Sequence, residues 1–352
     1  MEDSNVKRLL ALTGILAVTT AVYLSAVGFG QERAIKEAAA AKFVSIVLGT
    51  AGGLEEQNLS AYLLAPIGSK DFVALDAGTL LAGLRKARMM GSLWDIHVPP
   101  ESDLTIEGWV LQNNIKAYLI THAHLDHVAG LVINSPADTT KELLGIPSTI
   151  DYIRDHLFNW KIWPNFGNEG EELRLNKYRY VRLNPGEQYR VSGTRMTVEA
   201  FSLSHANGYP STAFLLQSGG FYALYFGDTG PDAVEKAGSI KTVWRRVAAL
   251  VRNKRLRGVF LEVSYPEGRP DKLLFGHLTP SWMMRELRQL AELVNPESPG
   301  AALRNLTVVV THIKPSLERG PTPRDQIARQ LNELNDLGVR LIVARQGQRI
   351  EF

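Results

Sequence analysis

The sequence predicts an α+β fold in which two stacked β-sheets are flanked by helices. Three observations lead there: short β-rich apolar runs recur early and late in the chain, helical segments are mixed through both halves, and no low-complexity linker interrupts them. That alternation reads as a single domain over residues 41–352, although 352 residues would by length alone admit two. Taken in order, the expected strands are 43–48, 60–64, 72–75, 117–120, 196–201, 212–216, 222–226, 258–261, 307–310 and 339–343. Each is short and rich in branched, aromatic or other apolar residues, a composition that packs well on a pleated sheet. Helices are expected over 79–90, 141–156, 233–251, 280–293 and 324–336, the longer segments between those runs.

Composition narrows the chemistry. Hydrophobic residues at 45% and charged residues at 21% exclude a disordered or fibrous chain and allow a large core. The net charge of +3, from 39 basic and 36 acidic groups, gives no strong pull toward nucleic acid or anionic lipid, so any partner must be chosen by a site. With no cysteine, disulfides, thiol nucleophiles and thiolate-held zinc are excluded, and a metal would have to be held by His, Asp or Glu. Behind Lys7 and Arg8, residues 9–30 carry no charge and are followed by Gln31, Glu32 and Arg33. That pattern reads as an export signal with Gly28-Phe29-Gly30 as a small-x-small cleavage site, or as a retained membrane anchor, since 22 uncharged residues also suffice to span a bilayer. Residues 1–30 are therefore expected to place the protein in the periplasm, or at a membrane facing it; the alternative is a buried N-terminal core helix.

The densest chemistry lies in Tyr118-Leu-Ile-Thr-His122-Ala-His124-Leu-Asp126-His127, where an apolar strand runs into a loop with three imidazoles and a carboxylate. Packing has no use for so much liganding capacity, and imidazole with carboxylate suits zinc, manganese or iron. One ion takes three or four protein ligands, so the cluster suggests two, a recurring device for displacement at phosphorus. Three further apolar runs end in a ligating residue: Leu203-Ser-His205, Leu224-Tyr-Phe-Gly-Asp228 and Val310-Thr-His312. Five of the eight histidines fall at these ends.

This pattern of His-x-His-x-Asp-His followed by a distant His, an Asp and a final His resembles the metallo-β-lactamase fold superfamily. The run from His122 to Pro136 further resembles the signature of the class II cyclic nucleotide phosphodiesterases, as do Leu48 to Tyr62, Phe158 to Pro164, Phe275-Gly-His-Leu-Thr-Pro280 and Thr311-His-Ile-Lys-Pro315. The resemblance implies a four-layer αββα sandwich of two mixed β-sheets and two divalent metal ions, zinc first, with manganese or iron as alternatives. It also implies a ligand scheme: His122, His124 and His205 on one ion, Asp126, His127 and His312 on the other, Asp228 bridging, and a metal-bridging hydroxide as nucleophile. Glu262 followed by His277 resembles a proton-transfer pair of the tRNA 3′-end processing endonucleases, so His277 is expected as general acid or phosphate contact, oriented by Glu262. The bland alternative for His277 is a cap on the helix starting near Pro280. Asp126 is counted with these two among the catalytic candidates, and Asp76 is expected to support the metal loop.

Gly52, Gly53 and Asn58 to Ser60 are expected to shape a turn near the site. Phe158, Trp160, Trp163 and Phe166 offer a stacking surface for a nucleobase or, more plainly, a satellite core. Arg245, Arg246, Arg252, Lys254, Arg255 and Arg257 read as a solvated helix face and turn, without nucleic acid as a partner. His156 reads as structural, and His97 has no assignment. The expected function is hydrolysis of 3′,5′-cyclic nucleotides, cyclic AMP first, to nucleoside 5′-monophosphates. The alternatives are another hydrolase of the superfamily acting on a different phosphodiester, RNA, a lactone or a β-lactam, and a non-catalytic metal-stabilised binding protein.

Overall fold

The computed structural model of the protein describes residues 41–352, and the expected signal or anchor, residues 1–30, lies outside the described residues. The described strands are β1 (Phe43–Gly49), β2 (Ala61–Pro66), β3 (Phe72–Leu75), β4 (Ile115–Leu119), β5 (Lys141–Gly145), β6 (Tyr178–Arg182), β7 (Gln188–Arg190), β8 (Thr197–His205), β9 (Tyr209–Ser218), β10 (Phe221–Phe226), β11 (Leu256–Glu262), β12 (Thr307–Thr311), β13 (Arg340–Val343) and β14 (Arg349–Glu351). They form two mixed seven-stranded sheets. The first runs β14-β1-β2-β3-β4-β5-β6, antiparallel up to β3 and parallel beyond it. The second runs β13-β12-β11-β10-β9-β8-β7, parallel as far as β10 and antiparallel beyond.

Strand periodicity sets the layers. Val44, Ile46 and Leu48 of β1 join a cluster with Leu84 and Ala87 of α1 (Leu81–Met89), Val128 and Leu131 of α2 (Leu125–Asn134), and Ile150 and Ile153 of α3 (Pro147–His156). Val259 and Leu261 of β11 likewise join the buried faces of α4 (Ser239–Arg252), α5 (Pro280–Val294) and α6 (Pro323–Leu334). The alternate residues face the other sheet: Tyr62 of β2 meets Tyr225 of β10 at 5.8 Å and Phe260 of β11 at 5.5 Å between ring centroids. The result is the four-layer sandwich of two mixed sheets between helices. No described helix is long and apolar enough to cross a membrane.

The expected helix over 141–156 is corrected. Residues Lys141–Gly145 are β5, paired in parallel with β4, and the helix begins only at Pro147. Proline at the first helical position lacks a donor that the helix does not need there, whereas inside a helix it would break the ladder. Helix α2 was not expected at all, and neither were β6, β7 and β14.

Candidate active site

Six strand ends deliver side chains to one edge of the sandwich: Asp76 after β3, His122 and His124 after β4, His205 closing β8, Asp228 after β10, Glu262 closing β11 and His312 after β12. β4 leads through Thr121 into α2, whose N-cap is His124, so Asp126 and His127 sit in the first helical turn. There the exposed backbone N–H groups favour the Asp126 carboxylate. Gly130 lets α2 lie against the 77–78 backbone, since a Cβ would come within 2.7 Å of the Ala77 carbonyl oxygen. At the far side, His312 has a φ of +56°, and a Cβ on Gly52 would fall 2.4 Å from its ring. The 50–60 turn therefore packs against a site imidazole, and Gly52 is there for close approach.

The seven expected ligands are brought together in two sets. Donor atoms of His122, His124 and His205 lie within 4.8 Å of one another, as do those of Asp126, His127, Asp228 and His312. Asp228 reaches across both sets, with Oδ1 3.4 Å from His127 Nε2 and Oδ2 3.2, 3.8 and 3.9 Å from Nε2 of His312, His122 and His205.

The outer nitrogens are already engaged. His127 Nδ1 is 2.8 Å from Asp76 Oδ2, His122 Nδ1 is 3.0 Å from Thr121 Oγ1, His205 Nδ1 is 2.8 Å from the Gly276 carbonyl and His312 Nδ1 is 3.0 Å from Ser264 Oγ. With Nδ1–H donating outward, each Nε2 presents a lone pair inward. His122 Nε2 meets His124 Nδ1 at 3.0 Å, and the inward nitrogens of His127 and His312 face each other, Nε2 to Nε2, at 3.1 Å. Two acceptors at that distance repel unless a proton or a cation lies between them, so the donor set fits divalent ions.

Electrostatics point the same way. Burial, reinforced by the neighbouring imidazoles, holds His122 and His205 below the usual histidine value and brings His124 down to about 4, which keeps all three neutral and able to ligate. Burial raises the Asp228 and Asp126 carboxyls, but the imidazoles of His312 and His127 override it and hold both below the usual range. His127 is displaced upward despite burial, because Asp228 and Asp76 flank it, so in the absence of a cation its Nε2 holds the proton that an ion would replace.

Glu262 and His277 form a separate couple. His277 Nδ1 lies 2.8 Å from Glu262 Oε1, both side chains are buried, and the imidazole holds the Glu262 carboxyl down against burial. Glu262 is fixed by further donors, the Thr229 N–H at 3.1 Å and Ser264 Oγ at 2.7 Å. The capping alternative for His277 fails, because the cap position of α5 is Thr279. His277 also stands 3.8 Å from Asp228 and stacks on His312 with centroids 5.2 Å apart, so the couple adjoins both donor sets.

The family model for class-II cAMP phosphodiesterases matches residues 39–347. The chain belongs to that family. It is 44% identical over 310 residues to a 3′,5′-cyclic-nucleotide phosphodiesterase of Aliivibrio fischeri, covering 88% of this chain and 93% of that one. A probable 3′,5′-cyclic-nucleotide phosphodiesterase of Yersinia pestis is 39% identical over 312 residues, with 89% and 90% covered. Among solved structures, unliganded yeast PDE1 matches with a TM-score of 0.76 at 26% identity, over 89% of this chain and 100% of that one. The metallo-β-lactamase fold protein YhfI of Bacillus subtilis matches with a TM-score of 0.55 at 15% identity, over 89% and 100%, a likeness of fold alone.

Several residues of this phosphodiesterase escaped the sequence reading. Thr121 and Ser264 link site imidazoles to buried carboxylates, and the Gly276 carbonyl holds His205; only the tertiary neighbours give such residues a role. Asp76 does support the metal loop, accepting from the Thr121 N–H at 2.8 Å, from His127 and from the Tyr225 hydroxyl at 2.9 Å. Of the 158–166 aromatics, Phe158 and Phe166 are buried within the core cluster of the first sheet rather than in a satellite of it, Trp163 packs against that cluster with its indole donating to Ser135 Oγ at 3.0 Å, and Trp160 is exposed. The basic run anchors α4, with Arg246 paired to Glu199 at 2.9 Å and Arg252 donating to the Val294 carbonyl at 2.9 Å.

Proposed function

We propose that this phosphodiesterase hydrolyses 3′,5′-cyclic nucleotides, cyclic AMP first, to nucleoside 5′-monophosphates, using two divalent ions. The observation that carries the reading is a division of labour within one centre. Two converging donor sets call for cations, and beside them Glu262 and His277 make a couple suited to holding a proton. The names of the A. fischeri and Y. pestis relatives support the substrate class.

His122, His124 and His205 would hold one ion, Asp126, His127 and His312 the other, and Asp228 would serve both. Zinc suits these nitrogen and oxygen donors, with manganese or iron as alternatives. When bound, such ions supply Lewis acidity, acidifying a water toward neutral pH and neutralising charge on the phosphodiester. The chain's own residues do the rest. Asp76 and Thr121 hold the rings of His127 and His122. Glu262 takes the His277 Nδ1–H, which leaves Nε2 to deliver a proton. Hydrolysis breaks the bond between phosphorus and the 3′-oxygen, the oxygen of water ends on phosphorus, and the 3′-oxygen accepts that proton. Residues 1–30 would direct the enzyme out of the cytoplasm.

Incubation with cyclic AMP should yield 5′-AMP, stop on treatment with a chelator and resume with added zinc. Release of 3′-AMP instead, or turnover of a β-lactam, a lactone or RNA in preference to cyclic AMP, would overturn the reading.

A further inference from the structure

The His277 side of the centre carries side chains that bond breaking leaves unused. Beyond β11, Tyr265 meets the His277 imidazole edge-on with ring centroids 5.9 Å apart. The Arg269 guanidinium lies 4.0 Å from the Tyr265 ring centroid and 5.9 Å from that of Phe275, and its Nε donates to the Leu273 carbonyl at 2.8 Å. Phe275 itself is 56% exposed and has a φ of +51°, a conformation costly for a bulky residue.

The backbone corner explains that strain. Gly276 has a φ of +74°, and a Cβ there would fall 1.9 Å from the Ala206 backbone nitrogen. The corner thus seats the Gly276 carbonyl on His205, turns His277 inward and leaves the Phe275 ring in solvent near the Arg269 guanidinium. Tight packing accounts for Gly276 but not for an aromatic side chain at 275. A polar residue tolerant of the left-handed region would serve the corner better.

The direction of the reaction says what the ring is for. In an in-line displacement the attacking and leaving oxygens lie on opposite sides of phosphorus. The leaving 3′-oxygen belongs to the ribose, so delivery of its proton by His277 places the ribose and its base on the His277 side. On the His124 side, by contrast, Tyr209 is already stacked on His124 at 4.5 Å and on Tyr152 at 6.0 Å.

We propose that Phe275, with the Arg269 guanidinium beside it, forms the nucleobase subsite: the purine stacks on the exposed ring and the cation borders it. This rests on the cyclic-nucleotide reading above. Such a subsite acts on binding, so it alters KM and leaves bond breaking alone.

The test compares cyclic AMP with the abasic ribose 3′,5′-cyclic phosphate, which keeps the ester and lacks the base. Phe275→Leu should raise KM for cyclic AMP roughly tenfold, the scale of a lost base stack, with kcat and turnover of the abasic ester little changed. Inhibition by the product AMP should weaken in parallel while inhibition by ribose 5-phosphate does not, and Phe275→Trp should retain the low KM. An unchanged KM in Phe275→Leu, an equal loss on both esters, or a KM effect that appears in Tyr152→Leu instead would overturn the subsite. Wild-type enzyme that cleaves the abasic ester but not cyclic AMP would bring down the cyclic-nucleotide reading itself.

Discussion

Asp228 carries one charge among five imidazoles, with His122, His127, His205, His277 and His312 all within 3.9 Å of its oxygens. Asp228→Asn keeps the shape and removes the charge that both donor sets share. Elemental analysis should find both ions depleted, and activity should fall further than in His124→Ala, which strips a ligand from one set only. Two retained ions per chain would count against the shared role. His277 calls for a different probe, because its role concerns the leaving group. A 3′-alkoxide leaves only when protonated, whereas a nitrophenolate leaves unaided, and general acid catalysis is worth roughly 10²–10⁴-fold. His277→Ala should lose about that much on cyclic AMP and far less on a nitrophenyl phosphodiester, with metal content unchanged. Equal losses would make His277 a phosphate contact. The placement of Asp228 was legible in the sequence, because ligating residues come from few types and it falls at a strand end, whereas the roles expected of Asp228 and His277 rested on the resemblance to known families. Ser264 and Thr121 were not legible, since a hydroxyl matters here only through the imidazole that donates to it.

At the scale of elements, the long apolar strands of both sheet centres were readable, because burial on both faces leaves an uninterrupted hydrophobic run. Of the edge and outer strands, β13 was expected at 339–343, but β6, β7 and β14 were not. β6 is Tyr-Arg-Tyr-Val-Arg and β14 is only Arg-Ile-Glu, so polar residues mask the pattern, and tertiary pairing decides their state. Lys141–Gly145 was misread for the same reason, its two leucines suiting a helix until Pro147 is taken as the helix start. Helix α5 carries a titratable strain of its own. Glu286 is buried, accepts from the Asp232 N–H at 3.2 Å and is pushed up to about 7, by burial first and then by the Asp232 carboxylate. A raised carboxyl means that the folded state binds the proton more tightly than the unfolded chain. The stability it contributes is therefore full below about 4.5 and is lost as pH rises through about 7. Glu286→Gln, neutral throughout, should match wild type near pH 5 and exceed it at pH 8 by ~1–3 kcal/mol in urea unfolding. A difference independent of pH would show that the Glu286 carboxyl titrates alike in the folded and unfolded chain.

For the molecule as a whole, every candidate site residue lies in the compact unit of residues 42–351, which the family match over 39–347 covers almost entirely. The sequence before it has a different logic: its uncharged run at 9–30 supplies no ligand, acid or base, and the reading of that run concerns place alone. The two readings can therefore be separated in one experiment. A chain lacking residues 1–40 should fold, bind its ions and turn over cyclic AMP with the kcat of the full-length enzyme, but should remain in the cytoplasm on fractionation. The full-length chain should appear outside it, either shortened near Gly30 if the run is a cleaved signal or intact in the membrane fraction if it is an anchor. Cytoplasmic recovery of an intact full-length chain would defeat the export reading without touching the catalytic one. Loss of kcat on truncation would instead show that the leading residues support the catalytic unit, contrary to a site whose candidate residues all lie after residue 75.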